Sequence, residues 1–200
     1  MINLSLTKLL LSVSYILDFV EMDILGVTSN HSKRVAYISF NIAKELGMSD
    51  EECFDIVSLA ILHDNGLVEK ALKDNLDLNY HEKRKFFERF RDHCIIGEQN
   101  IKGFPFLTDT KDVIKYHHER YDGKGYYRVK GEDIPLMAQI ISVSDIIDAE
   151  FNIKESYEEK VEKIAAYLKE KENKIASTRV IQAFNKVSNR TSFGLDLKDE

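Results

Sequence analysis

Apolar residues along this chain recur at three-to-four spacing rather than alternating, and the stretches they mark have helical lengths. The first, about Leu4 to Met22, is strongly apolar, but Lys8 and Asp18 interrupt it. It falls short of the roughly 20 apolar residues that span a bilayer, and it lacks a basic start followed by a small-residue cleavage site. The pattern predicts a buried helix there, partly at a subunit contact, and no membrane association. A second helix follows Asn30, carries Val35, Ile38, Ile42 and Leu46 on one face, and stops at Gly47. A third opens with Ser49-Asp50-Glu51-Glu52, a capping-box pattern, and closes at Asn65-Gly66. Further helices are expected over Lys83 to Lys102, Thr108 to His118 and Pro135 to Phe151. Tyr157 to Glu172 is heavily charged with a thin apolar stripe and reads as a solvated surface helix. A last helix over Ala176 to Val187 precedes a polar tail at 191–200, and the only strand material is a short hairpin over Tyr126 to Ile134, turning at Gly131. The reading is one all-α domain over residues 1–190.

Composition narrows the class. The chain has 200 residues, 44% hydrophobic and 31% charged, with 9 Gly, 2 Pro and no Trp, which excludes a disordered chain and disfavours a turn-rich sandwich. A formal charge of −6 argues against coating long nucleic acid, while leaving room for a local cationic pocket. The two cysteines, Cys53 and Cys94, show no paired-ligand spacing and build no disulfide framework, so a reducing cytoplasm is expected.

The candidate chemistry lies in the histidines and aspartates. His31 opens the second helix, His63-Asp64 follows the apolar run Leu59 to Leu62, His93 lies in the fourth helix and His117-His118 end the fifth. Asp145 interrupts an apolar run, Ile140 to Ile147, where a buried carboxylate is costly unless it is paired or binds a metal. Each position alone has an ordinary structural explanation. Together, imidazoles and carboxylates arriving from several helix ends can converge on one or two transition-metal ions.

These residues, with His31-Ser32-Lys33-Arg34-Val35-Ala36, Leu62-His63-Asp64-Asn65-Gly66 and His117-His118-Glu119-Arg120-Tyr121-Asp122-Gly123-Lys124-Gly125-Tyr126, resemble the HD superfamily of metal-dependent phosphohydrolases. More narrowly they resemble its HD-GYP branch, which hydrolyses cyclic dinucleotides, chiefly cyclic di-GMP. The resemblance implies an HD-type helical bundle, with its core at about 31–150 and extra helices at both ends. It also implies metal ligands at His31, His63, Asp64, His93, His117, His118 and Asp145, with Asp64 bridging two divalent transition metals; iron or manganese is favoured and zinc is an alternative. Asp64 and His63 are the implied catalytic pair. Some members hold a third metal through a Glu four residues before the first His; Val27 stands there, so two metals are expected. Two such cations lower the pKa of a shared water and supply a hydroxide for in-line attack on phosphate. Arg120, Lys124, Gly125, Tyr126 and Lys154 are the candidates for holding substrate.

Departures from the family bear on the substrate. Asn65-Gly66-Leu67 replaces Ile-Gly-Lys, Gly125-Tyr126-Tyr127 replaces Gly-Tyr-Pro, and the arginine-rich segment expected after Asp148 keeps a cation only at Lys154. Metal chemistry reads as intact and substrate grip as weakened. The leading expectation is a cytoplasmic cyclic-dinucleotide phosphodiesterase giving a linear product, with homodimerisation through the N-terminal helix. No sensor region fits in the first thirty residues, so regulatory input is expected from a partner, oligomerisation or substrate supply. Two alternatives stay open: an HD phosphohydrolase of other nucleotides or phosphate monoesters, and a degenerate module that binds a nucleotide or partner without turnover.

Overall fold

The computed structural model describes residues 5–67, 69 and 91–197. Among them regular structure is helical, apart from one backbone bridge between Glu172 and Ala176. The elements are α1 (Leu6–Leu25), α2 (His31–Glu45), α3 (Asp50–Ile61), α4 (Arg91–Asn100), α5 (Val113–Tyr116), α6 (Leu136–Phe151), α7 (Ile153–Glu170), α8 (Thr178–Ser188) and α9 (Thr191–Asp196). The expected helix from Lys83 is described only from Arg91 onward, and His81 lies outside the described residues.

Helix α2 is the hub. Its apolar face, Val35, Ile38, Ile42 and Ala43, is fully buried and packs on α3, α6 and α8, while α1 lies along its opening. Ser39 and Ser144 hydrogen-bond across the α2–α6 contact at 3.0 Å. The capping box of α3 forms as predicted: Glu52 N–H donates to Ser49 Oγ and Ser49 N–H to the Glu52 carboxylate. Two acids, the buried Asp55 and the half-buried Glu98, tie the short α5 in place. Asp55 accepts the N–H groups of Leu107 and Thr108, and Glu98 of α4 accepts those of Asp112 and Lys115.

Several expectations are corrected. Helix α1 is not buried all round: Leu10, Ser14, Leu17, Asp18 and Glu21 face inward, but Leu11, Tyr15, Phe19 and Met22 form an exposed apolar stripe. The third helix ends at Ile61 rather than at Asn65-Gly66, so His63 and Asp64 occupy the turn beyond it. Gly66 is not a helix stop. A Cβ there would stand 2.1 Å from the His93 carbonyl oxygen, so the glycine allows this turn to lie against α4. The fifth helix shrinks from the expected 108–118 to four residues. No hairpin forms at 126–134, because the Glu119 carboxylate takes the N–H groups of Tyr127 and Val129 that a partner strand would have used; Gly131–Asp133 is a 3₁₀ turn. The charged helix α7 is more than a solvated surface element: Tyr157, Ile164 and Leu168 are buried. The expected polar tail instead forms α9, with Phe193 and Leu197 buried in the core.

Replacing Gly66 by Ala should lower stability by about 1–3 kcal/mol, as overpacking typically does. The control is Gly103→Ala, where a Cβ meets nothing within 4 Å. Thermal denaturation of both variants checks this, and an unchanged melting temperature for Gly66→Ala would show that the turn does not lie against α4.

Candidate metal centre

His31 is the first residue of α2, and the Asp18 carboxylate of α1 accepts the N–H groups of Asn30 at 2.7 Å and His31 at 2.9 Å. A carboxylate suits this end of a helix, where N–H groups lack intrahelical partners. The His31 ring is oriented by a second carboxylate: Nδ1 donates to Asp148 Oδ2 at 2.6 Å. Arg34, one turn along α2, holds Asp148 through Nε at 2.6 Å and a terminal nitrogen at 2.8 Å. His31 Nε2 is left facing Asp145 Oδ1 at 3.3 Å.

His63 and His117 are oriented by backbone. His63 Nδ1 donates to the Ala60 carbonyl at 2.8 Å, and His117 Nδ1 to the Ile114 carbonyl at 2.6 Å. Both acceptors sit at helix ends, where carbonyls lack an intrahelical partner. An acceptor on one ring nitrogen fixes the tautomer and frees the other for a metal. Both rings therefore present Nε2 to a common centre, at which Asp64 lies. Asp64 Oδ1 is 3.3 Å from His93 Nε2 and 3.6 Å from His117 Nε2, and Oδ2 is 3.5 Å from His63 Nε2. His118, half-buried, lies with its ring centroid 4.0 Å from that of His117 and 5.2 Å from that of His93.

Two donor groups emerge, each with its ligand atoms within 4.8 Å of one another: His31, His63 and Asp145, and His93, Cys94, His117 and His118. Asp64 stands between them. His31 Nε2, His63 Nε2, His117 Nε2 and Asp64 Oδ1 are buried without a hydrogen-bond partner. Each such atom costs of order 1–3 kcal/mol, and a cation supplies the missing partner. Imidazole with carboxylate is a donor set for transition metals, so these residues fit that class of ion.

Electrostatics agree. Burial opposes ionisation of Asp64, but His63, His117 and His93 outweigh it and hold the carboxyl well below the usual range. Asp145 is likewise brought to about 2, its burial outweighed by His31. Burial lowers His63, and burial with the neighbouring His117 and His93 lowers His118 strongly, so both rings stay neutral. His31 and His117 are raised: their burial is overcome by Asp145 and Asp148 for the first and by Asp64 for the second.

The seven expected ligands are thus brought together, whereas the substrate candidates are more scattered. Tyr126 sets its ring edge-on to His118, with centroids 5.5 Å apart. Gly125 is a close-approach position: a Cβ would stand 2.6 Å from Glu119 Cα. Arg120 is turned into a two-point pair with Asp122, at 2.7 and 3.0 Å. Lys124 is exposed, and Lys154 lies in the first turn of α7. Leu67, where the family has lysine, is 1% exposed and packs as an apolar residue.

Four residues of the centre escaped the sequence reading. Arg34 and Asp148 orient His31, and each carries a weak signal as a charge one turn from a candidate ligand. Cys94 places Sγ 3.4 Å from His93 Nε2, and burial and the Asp64 charge keep its thiol protonated. Glu21 is buried on α1, and burial followed by the Asp64 charge pushes its carboxyl up to about 8.

A family profile described as HD domain matches residues 20–175. A cyclic di-GMP phosphodiesterase of Thermotoga maritima is 31% identical over 167 residues, covering 80% of this chain and 44% of the relative. A 3′3′-cGAMP-specific phosphodiesterase of Vibrio cholerae is 38% identical over 127 residues, covering 61% of this chain and 26% of the relative. The chain thus spans less than half the length of either. The crystal structure of a cyclic GMP-AMP specific phosphodiesterase of Vibrio cholerae superposes with a TM-score of 0.67 at 19% identity, covering 96% of this chain and 53% of that one, which shows the all-α fold.

Asp148→Asn leaves the buried Arg34 without its counter-charge, and breaking such a pair typically costs about 3–5 kcal/mol. The folded-state pKa of Asp148 lies below its ordinary 3.8, since His31 and Arg34 outweigh burial. Its contribution is therefore present above that value and fades as pH falls through the folded pKa. Urea denaturation of metal-free protein should show a large gap between wild type and variant near neutrality that narrows in acid. A constant gap at all pH values would remove this role.

Proposed function

Because the chain belongs to the HD domain family, we propose that it is a metal-dependent phosphodiesterase that opens a cyclic dinucleotide, cyclic di-GMP first, to a linear product. The observation that carries the reading is Asp64, a buried carboxylate with each oxygen turned toward a different histidine group. In this reading Asp64 would be shared by two divalent ions, iron or manganese before zinc. His31, His63 and Asp145 would hold one side; His93, His117 and His118 would hold the other. When bound, such metals would neutralise phosphate charge and lower the pKa of a water ligand.

The chain's own residues do the rest. His63 and His117 stay oriented through their backbone acceptors, and Asp148 with Arg34 keeps His31 in register. Tyr126, beside His118, offers a ring for a base to stack on. Gly125 lets the loop lie close on Glu119, and Lys124 supplies a cation for a second phosphate; the side chain of Lys154, the other candidate, lies outside the described residues. Arg120 joins Lys124 only by exchanging Asp122 for phosphate. That pairing, with Leu67 in the lysine position, favours weak substrate grip and is the observation behind a second reading, a nucleotide-binding module without useful turnover. The substrates of the similar proteins, cyclic di-GMP and 3′3′-cGAMP, support the first.

Among the described residues no helix is long and apolar enough to cross a membrane, and both cysteines are free and buried, which supports a cytoplasmic setting. The exposed stripe of α1 supports self-association with a second copy.

Asp64→Ala should lose at least one equivalent of metal and all hydrolysis of cyclic di-GMP and 3′3′-cGAMP, measured by elemental analysis and chromatography of products from anaerobically loaded protein. Full metal content with normal turnover in that variant would overturn the reading. Tight binding without turnover in fully loaded wild type would select the binding module. Phe19→Glu should shift the chain to monomer in sedimentation, and a wild type that is already monomeric at high concentration would refute the dimer.

A further inference from the structure

Glu21 is a carboxylate that the fold has buried without giving it a partner. It is 1% exposed, and both of its oxygens lack a hydrogen-bond partner. Neither ionisation state resolves this. An ionised side chain would leave a buried carboxylate with no hydrogen bond to either oxygen, and a protonated one would still hold an O–H with no acceptor. Its place in the fold is specific. Glu21 lies one turn after Asp18 on the inward face of α1, and Asp18 binds the N–H of His31 at the opening of α2. The ionisable groups that act on it are Asp64, His31, Asp18 and Asp145, which together include the acidic members of the centre. In the same place His31 Nε2, His63 Nε2 and Asp64 Oδ1 are also buried without partners. Orphaned acceptors from three separate elements gathered in one buried region form a donor set that a divalent cation would satisfy.

We propose that Glu21 is a further ligand of the metal on the His31–His63–Asp145 side, an inference that rests on the metal-centre reading above. The two halves then differ in chemistry. The α1 side carries Glu21, Asp145 and a share of Asp64 with two imidazoles, an oxygen-rich set suited to manganese or ferrous iron. The other side carries three imidazoles beside a thiol, a softer set. The carboxylate also makes α1 part of the centre, so metal loading on that side clamps the N-terminal helix onto α2.

The test compares wild type with Glu21→Gln, without relying on turnover. Metal-free Glu21→Gln should melt at or above the wild-type temperature, because the substitution removes a buried acid with no partner. On titration with Mn²⁺, wild type should bind two ions, and Glu21→Gln should bind one of them at least tenfold more weakly and show a smaller rise in melting temperature. The visible spectrum of the cobalt(II)-loaded protein should change in the bands of one site only. Glu21→Asp, which keeps the charge but withdraws it by one methylene, carries the same titration should the Gln variant fail to fold, and weakening is expected there too. Identical affinities, melting shifts and cobalt spectra in wild type and the folded variant would overturn the Glu21 assignment while leaving the metal centre standing. A wild type that binds no divalent metal would overturn both.

Discussion

The Asp64 carboxylate is buried among imidazoles in a turn rather than in a helix, and much of the architecture exists to make that tolerable. A carboxylate out of water needs positive charge or donated hydrogen bonds close by. Here it faces His63, His93 and His117 at 3.3–3.6 Å, none of them a regular hydrogen bond to Oδ1, which stays without a partner. The centre is therefore electrostatically poised and incompletely satisfied, the condition in which a divalent cation gains most by entering.

Helix ends do the positioning. His31 stands at the start of α2, His63 just beyond the end of α3, and His117 at the end of α5. Free N–H groups at the first site take Asp18, and free carbonyls at the other two take the Nδ1 protons of their own histidines. The orphan groups that every helix must satisfy at its ends are thus the same groups that aim the rings. Glu98 joins α4 to α5, and so fixes His93 against His117. Gly66 permits the turn carrying His63 and Asp64 to approach α4 closely enough for Asp64 to meet both.

The opposite side of the site is built less firmly. Glu119 clips the tyrosine-rich loop through two backbone N–H groups, but its cations are exposed or, for Arg120, already committed to Asp122. The Arg120–Asp122 pair is half-buried and two-pointed, so a phosphate reaches Arg120 only by displacing Asp122. Under the proposed function, affinity for an anionic ligand would then rest chiefly on the metals and on stacking at Tyr126, rather than on a preformed cationic pocket.

The sequence by itself determined the helical class, the capping box at Ser49, the opening of α2 at His31 and the seven histidines and aspartates that converge. Each of these is local or motif-borne: apolar spacing follows from helix period, and His-Asp pairs after an apolar run mark a core edge. Only the tertiary structure decided that Glu119 would consume the hairpin's N–H groups, that Phe193 would draw the tail into a helix, and that Arg34 and Asp148 would lock His31 across 114 positions of chain. It alone decided that Glu21 would be buried on the inward side of α1. A carboxylate in an apolar helix has no visible partner until the helix is docked, because burial and the charges that surround a group are properties of the packed elements and not of any window of sequence.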